Sequence, residues 1–164
     1  MATIMRKSRF QSACMDAIKQ LALELLETEK RYLLEDKSEY SAAIVVVITP
    51  EGRYWEEVTF DDENQKVEAY AAVVARAKAR SATAIITINT GRQLDVAGGE
   101  TLGDYWWGKL EADDCSRALT LTASGPEVNA WSLALPYRLE SGDVELGPLS
   151  DFQPALVGLL PNWP

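Results

Sequence analysis

The chain has 164 residues, a length that fits one domain and lets it bury about 70% of the surface its unfolded form exposes, with no disulfide or metal staple required. It carries 25 acidic against 16 basic side chains and no histidine, for a formal charge of −9. That balance argues against nucleic-acid binding and against anionic membrane surfaces. The missing histidine removes the commonest general base and the commonest zinc ligand together.

The two cysteines, Cys14 and Cys115, are far apart and form no C-x-x-C, so they predict separate thiols rather than a disulfide, redox pair or zinc site. Arg6, Lys7 and Arg9 are not followed by an apolar stretch of signal-peptide length. No run approaches the ~18 consecutive apolar residues of a membrane span. The expectation is a cytoplasmic protein that does not engage a membrane.

In chain order, the first element is a helix from about Ser8 to Lys37. Phe10, Cys14, Ile18, Leu21, Leu25 and Tyr32 make an amphipathic stripe, which Ala22, Leu26 and Leu33 widen. Glu24, Glu27, Lys30 and Arg31 occupy the other side, with Glu27 and Arg31 at i,i+4 spacing. A helix of this length invites its N-terminal half to project or to pack on a partner.

Ala43 to Thr49 is a continuous β-branched run, which predicts a strand covered on both faces. Pro50-Glu51-Gly52 forms a turn, and alternation then resumes. Tyr54, Glu56, Val58 and Phe60 lie on one face, Trp55, Glu57 and Thr59 on the other, completing a β-hairpin. Asp62 with Gln65 is a variant capping box opening a second helix, whose inner face is Val67, Tyr70, Ala71, Val74 and Ala77 and whose end is near Arg80. A third strand covers Thr83 to Thr90.

From Gly91 to Cys115 the periodicity lapses into an acidic, glycine-punctuated segment holding Tyr105-Trp106-Trp107. Loops of this length inside a compact domain are uncommon and usually functional. Three further strands follow around Leu119–Ala123, Trp131–Leu135 and Val144–Leu146, with a Ser141-Gly142-Asp143 turn and an edge or bulge at Pro136. The tail, 148–164, is rich in proline and apolar residues and predicts packing on the domain or on a second copy.

The sum is an α+β domain over 1–164, of order α-β-β-α-β-β-β-β: a long helix (1–41), a core (42–147) and the tail. Its mostly antiparallel sheet has five or six strands, and the economical arrangement packs both helices on one side. Roadblock-like and profilin-like domains share part of this order. Ile48-Thr49-Pro50-Glu51-Gly52-Arg53, an alanine-rich helix, the strand Ala82-Thr83-Ala84-Ile85-Ile86-Thr87, then Ala118-Leu119-Thr120-Leu121 and Trp131 with Pro136-Tyr137-Arg138 carry a closer likeness. Over roughly residues 43–147 the chain resembles small uncharacterised bacterial and phage-associated proteins with a "TPDGR" hairpin and a C-terminal β-meander. It departs at Asn89-Thr90-Gly91-Arg92, where those proteins carry "SEAW". The resemblance implies a fold and no activity.

No catalytic or metal constellation emerges. Gly91 to Gly103 contains neither G-x-G-x-x-G nor a P-loop lysine. Asp61-Asp62 reads as turn and cap, Asp113-Asp114 as solvated loop. An oxygen-ligated Mg²⁺ or Ca²⁺ site from Asp95, Glu100, Asp104 and Asp113 lacks the EF-hand spacing, and no spacing fixes a glycosidase carboxylate pair. The expectation is therefore no cofactor, no metal and no catalytic residue.

The aromatics carry more. Trp131 alternates with leucines and reads as core, whereas Tyr54 and Trp55 are strand neighbours that must face opposite ways. Tyr105, Trp106 and Trp107, with Asp104, either anchor the long loop, form a contact surface or stack a ligand ring. These four and Trp55 are the candidate contact residues. The favoured reading is a non-enzymatic binding or scaffold domain that self-associates as a homodimer or meets another protein. The alternative is a small-ligand or oxygen-ligated metal enzyme using the 91–115 loop.

Overall fold

A computed structural model of the chain describes residues 2–92, 116–126 and 128–154. Helix α1 (Ala2–Asp36) and a short 3-10 turn lead into strands β1 (Ala43–Thr49) and β2 (Gly52–Glu57). Helix α2 (Glu63–Ala79) follows, then β3 (Ala84–Arg92), β4 (Ser116–Gly125), β5 (Val128–Glu140), β6 (Asp143–Leu146) and the two-residue β7 (Gln153–Pro154). The element order is the expected one, with seven strands in place of five or six because the start of the tail contributes β7. The paired strands run antiparallel, in the order β2-β1-β3-β4-β5-β6, and β7 joins the outer side of β5. Among the described residues, no helix is long and apolar enough to cross a membrane.

The helices lie on opposite faces of the sheet, not on one side. Val46, Ile86, Ile88, Leu119, Leu121, Trp131, Leu133 and Leu135 pack with Ile18, Ala22, Leu26 and Leu33 of α1. Val45, Val47 and Ile85 pack with Tyr70, Val73, Val74 and Ala77 of α2. The reason lies in β1 and β3: successive β-branched residues point alternately up and down, so both faces of these strands are apolar and each needs a cover.

Within α1 the buried line is Ile18, Ala22, Leu26, Glu29 and Leu33, the flank of the expected stripe rather than its centre. Tyr32, expected inside, is 44% exposed, and a glutamate takes the buried position between Leu26 and Leu33. Glu27 pairs with Lys30 at 3.4 Å and not with Arg31, whose guanidinium lies 5.7 Å from the Tyr32 ring centroid. In α2, Val67 and Ala71 turn outward and Val73 turns inward. A sheet seen by this helix across β1 and β3 needs only a narrow stripe.

Asp62 caps α2 as expected, its carboxylate accepting the Gln65 backbone N–H at 2.8 Å. The Gln65 side chain reaches one residue further than a standard box, accepting from the Asp61 N–H at 3.0 Å. At the other end Ser81 adopts φ +56°. The Ala82 N–H returns to the Ala77 carbonyl and the Ser81 N–H to that of Lys78, both at 3.0 Å. This is a Schellman ending with serine where glycine is usual. Ser81→Gly is therefore expected to raise stability by about 0.5–1 kcal/mol, because glycine adopts the left-handed conformation without steric strain. Chemical denaturation of the two proteins side by side checks this.

Ser141 (φ +53°) and Gly142 (φ +80°) form the β5–β6 turn, the primed geometry suited to a two-residue hairpin. Pro136 lies between the stretch of β5 that pairs with β7 and the stretch that pairs with β6. Its carbonyl faces outward to the Gly147 N–H, so its missing N–H faces outward too and costs the ladder nothing. Trp131 is core, 4% exposed, and meets Phe152 edge-on at 4.9 Å. That contact and β7 show the described part of the tail packing on its own sheet. Residues 155–164 lie outside the described residues.

Candidate functional site

Of the five candidate contact residues, Asp104, Tyr105, Trp106 and Trp107 lie outside the described residues, as do Asp95, Glu100 and Asp113. Trp55 is described, and among the described residues it is the most exposed large hydrophobic side chain, at 67%. It stands at the middle of β2, which borders the sheet.

The ladder fixes how that border is presented. Val58 N–H donates to the Ala43 carbonyl at 2.8 Å, and the register runs from Ile44 opposite Glu57 to Thr49 opposite Gly52. In an antiparallel pair, alternate residues direct both backbone groups toward the neighbour. Val58, Glu56 and Tyr54 thus face β1, while Arg53, Trp55 and Glu57 turn their N–H and C=O groups outward. The side chains of these three also share one face, the α1 face, since Trp55 lies opposite Val46.

The two faces of β2 are finished differently. On the α2 side the Arg76 guanidinium grips Glu56 through two bonds, of 2.9 and 3.3 Å. This hydrogen bonding holds the Arg76 guanidinium above its ordinary pKa. Arg80 lies 4.6 Å from the Tyr54 ring centroid. On the α1 side, among the described residues, no comparable contact covers Trp55, which is 67% exposed. On the same face, toward the hairpin tip, a groove of about 520 Å³ runs between α1 and the hairpin, lined by Ile18, Leu21, Glu24, Ile48 and Arg53 among others.

Two other features are better explained without a ligand. A groove of about 620 Å³ at the hairpin tip is bordered by Arg53, Tyr54, Arg80 and Ser81. The cations of the last turn of α2, Arg76 and Lys78, complement the negative end of the helix dipole, which disfavours an anion there. Beneath α1, the Tyr40 hydroxyl donates to Glu29, which is 7% exposed. Tyr137 lies across the strand pair from Arg117. Burial foremost, then Glu29, pushes the Tyr40 phenol up, and burial likewise raises Tyr137 against the opposing pull of Arg117. The Tyr40 phenol, held in the neutral form, acts here as a hydrogen-bond donor to Glu29.

Sequence reasoning missed Glu29 because a charge in a helix reads as solvent-facing. The available signal was its spacing, three residues after Leu26 and four before Leu33. Among the described residues, no three of Cys, Asp and Glu converge as a metal site. No family model, characterised protein or solved structure matches the chain.

Proposed function

We propose that this chain is a cytoplasmic, non-enzymatic binding or scaffold domain that self-associates as a homodimer through the β2 border of its sheet. The observation that carries this is Trp55, two-thirds exposed at the centre of an edge strand that, among the described residues, pairs only with β1. An open edge offers unsatisfied backbone groups in a row, and proteins ordinarily blunt or cover it. A tryptophan there does the opposite, since large aromatics supply most of the binding energy at interfaces. The half-buried Leu21, Leu25, Ile44 and Ile48 extend the apolar surface beside it.

Size-exclusion chromatography with light scattering tests the reading. The expected mass is twice the 18.1 kDa of the chain. Trp55→Ala is expected to weaken association by about a thousandfold, since two symmetry-related anchors are lost at ~2 kcal/mol each. Its own fold should survive, because an exposed substitution moves stability by about 0.5 kcal/mol. A strict monomer at high micromolar concentration sinks the proposal.

A further inference from the structure

We infer that the two copies join by antiparallel pairing of β2 with β2 in a single register, with Trp55 opposite Trp55 of the second copy. This rests on the self-association reading and adds the geometry by which it occurs.

The backbone comes first. Arg53, Trp55 and Glu57 are the residues of β2 that turn their N–H and C=O groups away from β1. A two-fold axis at Trp55 brings these outward groups face to face: Trp55 exchanges its pair with itself, and Arg53 with the partner's Glu57. All three are exposed, so no rearrangement of the core is needed. Two seven-stranded sheets would then become one continuous sheet.

Side-chain charge selects the register. Because residues paired across an antiparallel ladder must share a face, the two-fold can fall only at a residue. Centred on Trp55, it sets Arg53 against the partner's Glu57, twice over by symmetry, with the two tryptophans in contact between these ion pairs. Centred one residue earlier, on Tyr54, it sets Glu57 against the partner's Glu51, again twice. Centred one residue later, on Glu56, it sets Glu56 against its own copy and Trp55 against a glutamate. Like charges directly opposite destabilise a sheet and opposite charges support it. Of these three registers, only the one centred on Trp55 opposes unlike charges without opposing like ones.

The α2 face tolerates the arrangement. There the Glu56 carboxylate is already held by Arg76 of its own chain, so it does not stand as a free charge opposite Tyr54 of the other copy. With strands spaced about 4.8 Å apart, two helices each lying over β1 are about 14 Å apart across the joint, wider than the ~10 Å of packed helices.

The test is charge reversal read by the dimer dissociation constant, from sedimentation or light scattering over a concentration series. R53E and E57R are each expected to weaken the dimer by about tenfold or more, since each creates two like-charge contacts from two attractive ones. The double variant R53E/E57R should return to within about threefold of the unaltered chain, given that both contacts are restored in mirror order. Mixing R53E with E57R should give a heterodimer, because every contact between those two chains is attractive. Circular dichroism confirms that each variant is folded. Should a reversal unfold the chain, the neutral R53Q and E57Q serve instead, with weakening in both expected and no change in either overturning the register.

A dimeric parent whose reversals leave the constant unchanged, or whose double variant does not recover, overturns the register while leaving self-association standing. A monomeric parent overturns both.

Discussion

Replacing Tyr70 with alanine is expected to lower stability by about 3–5 kcal/mol, the range for emptying a large aromatic site in a core. Tyr70 is completely buried and is among the largest side chains so placed. It is the point at which α2 meets the sheet: its ring lies 6.5 Å from that of Phe60, and its hydroxyl donates to the Asn89 side chain of β3 at 2.8 Å. Truncation therefore opens a cavity and strips the half-buried Asn89 amide of its donor in one step. Tyr70→Phe separates the two effects. It keeps the ring and should cost only about 0.5–1.5 kcal/mol, the net worth of a hydrogen bond. Urea unfolding of both variants measures the difference; near-equal losses would show that the ring contributes little to docking α2.

Alkaline pH should act on the whole molecule. Burial raises the phenol pKa of Tyr40, Tyr70 and Tyr137 above the ordinary value of 10.0. Below pH 10 the folded and unfolded chains both keep these three protons, and their contribution to stability is fully present. Above it the unfolded chain releases them while the folded chain does not. Stability then falls, by about 1.4 kcal/mol per pH unit for each tyrosine that still resists ionisation. Where all three resist together, the slope approaches about 4 kcal/mol per pH unit. Denaturant midpoints between pH 8 and 12, followed with tyrosinate absorbance, give the slope. In Tyr40→Phe it should fall by about one third, since one of the three groups is gone. A stability that stays flat through pH 11 would contradict the burial of these phenols.

Much of the fold was written in local pattern. The β-branched run at Ala43–Thr49 gave β1 with its observed bounds, and the Pro-Glu-Gly turn, the Asp62 cap and the Ser141-Gly142 turn all chose their geometry from residues within a turn's reach. What pattern could not supply was the relation between distant elements. Apolar residues on both faces of β1 already implied two covers, yet assigning one helix to each face depends on the crossover from β2 through α2 to β3. The α1 stripe was displaced because Glu29 finds its partner in Tyr40, outside the helix itself. β3 runs on to Arg92, past the glycine at which its periodicity fades, because pairing with Ala118 and Arg117 of β4 sustains it.

The candidate site was half legible. Adjacent Tyr54 and Trp55 in a strand must diverge, so one of them had to leave the core. That β2 is the border of the sheet follows only from β1 pairing with both β2 and β3, a tertiary fact with no local signature.

The two margins of the sheet are not equivalent. One ends in six residues of β2. At the other, among the described residues, β5 is lined by the four residues of β6 at one end and by Gln153–Pro154 of β7 at the other, so that margin is divided between two separate strands. A two-fold pairing uses the same margin of both copies and leaves it unavailable to a third. In the pairing proposed here each copy spends that margin on the other, so growth stops at two, a closed assembly rather than a fibre.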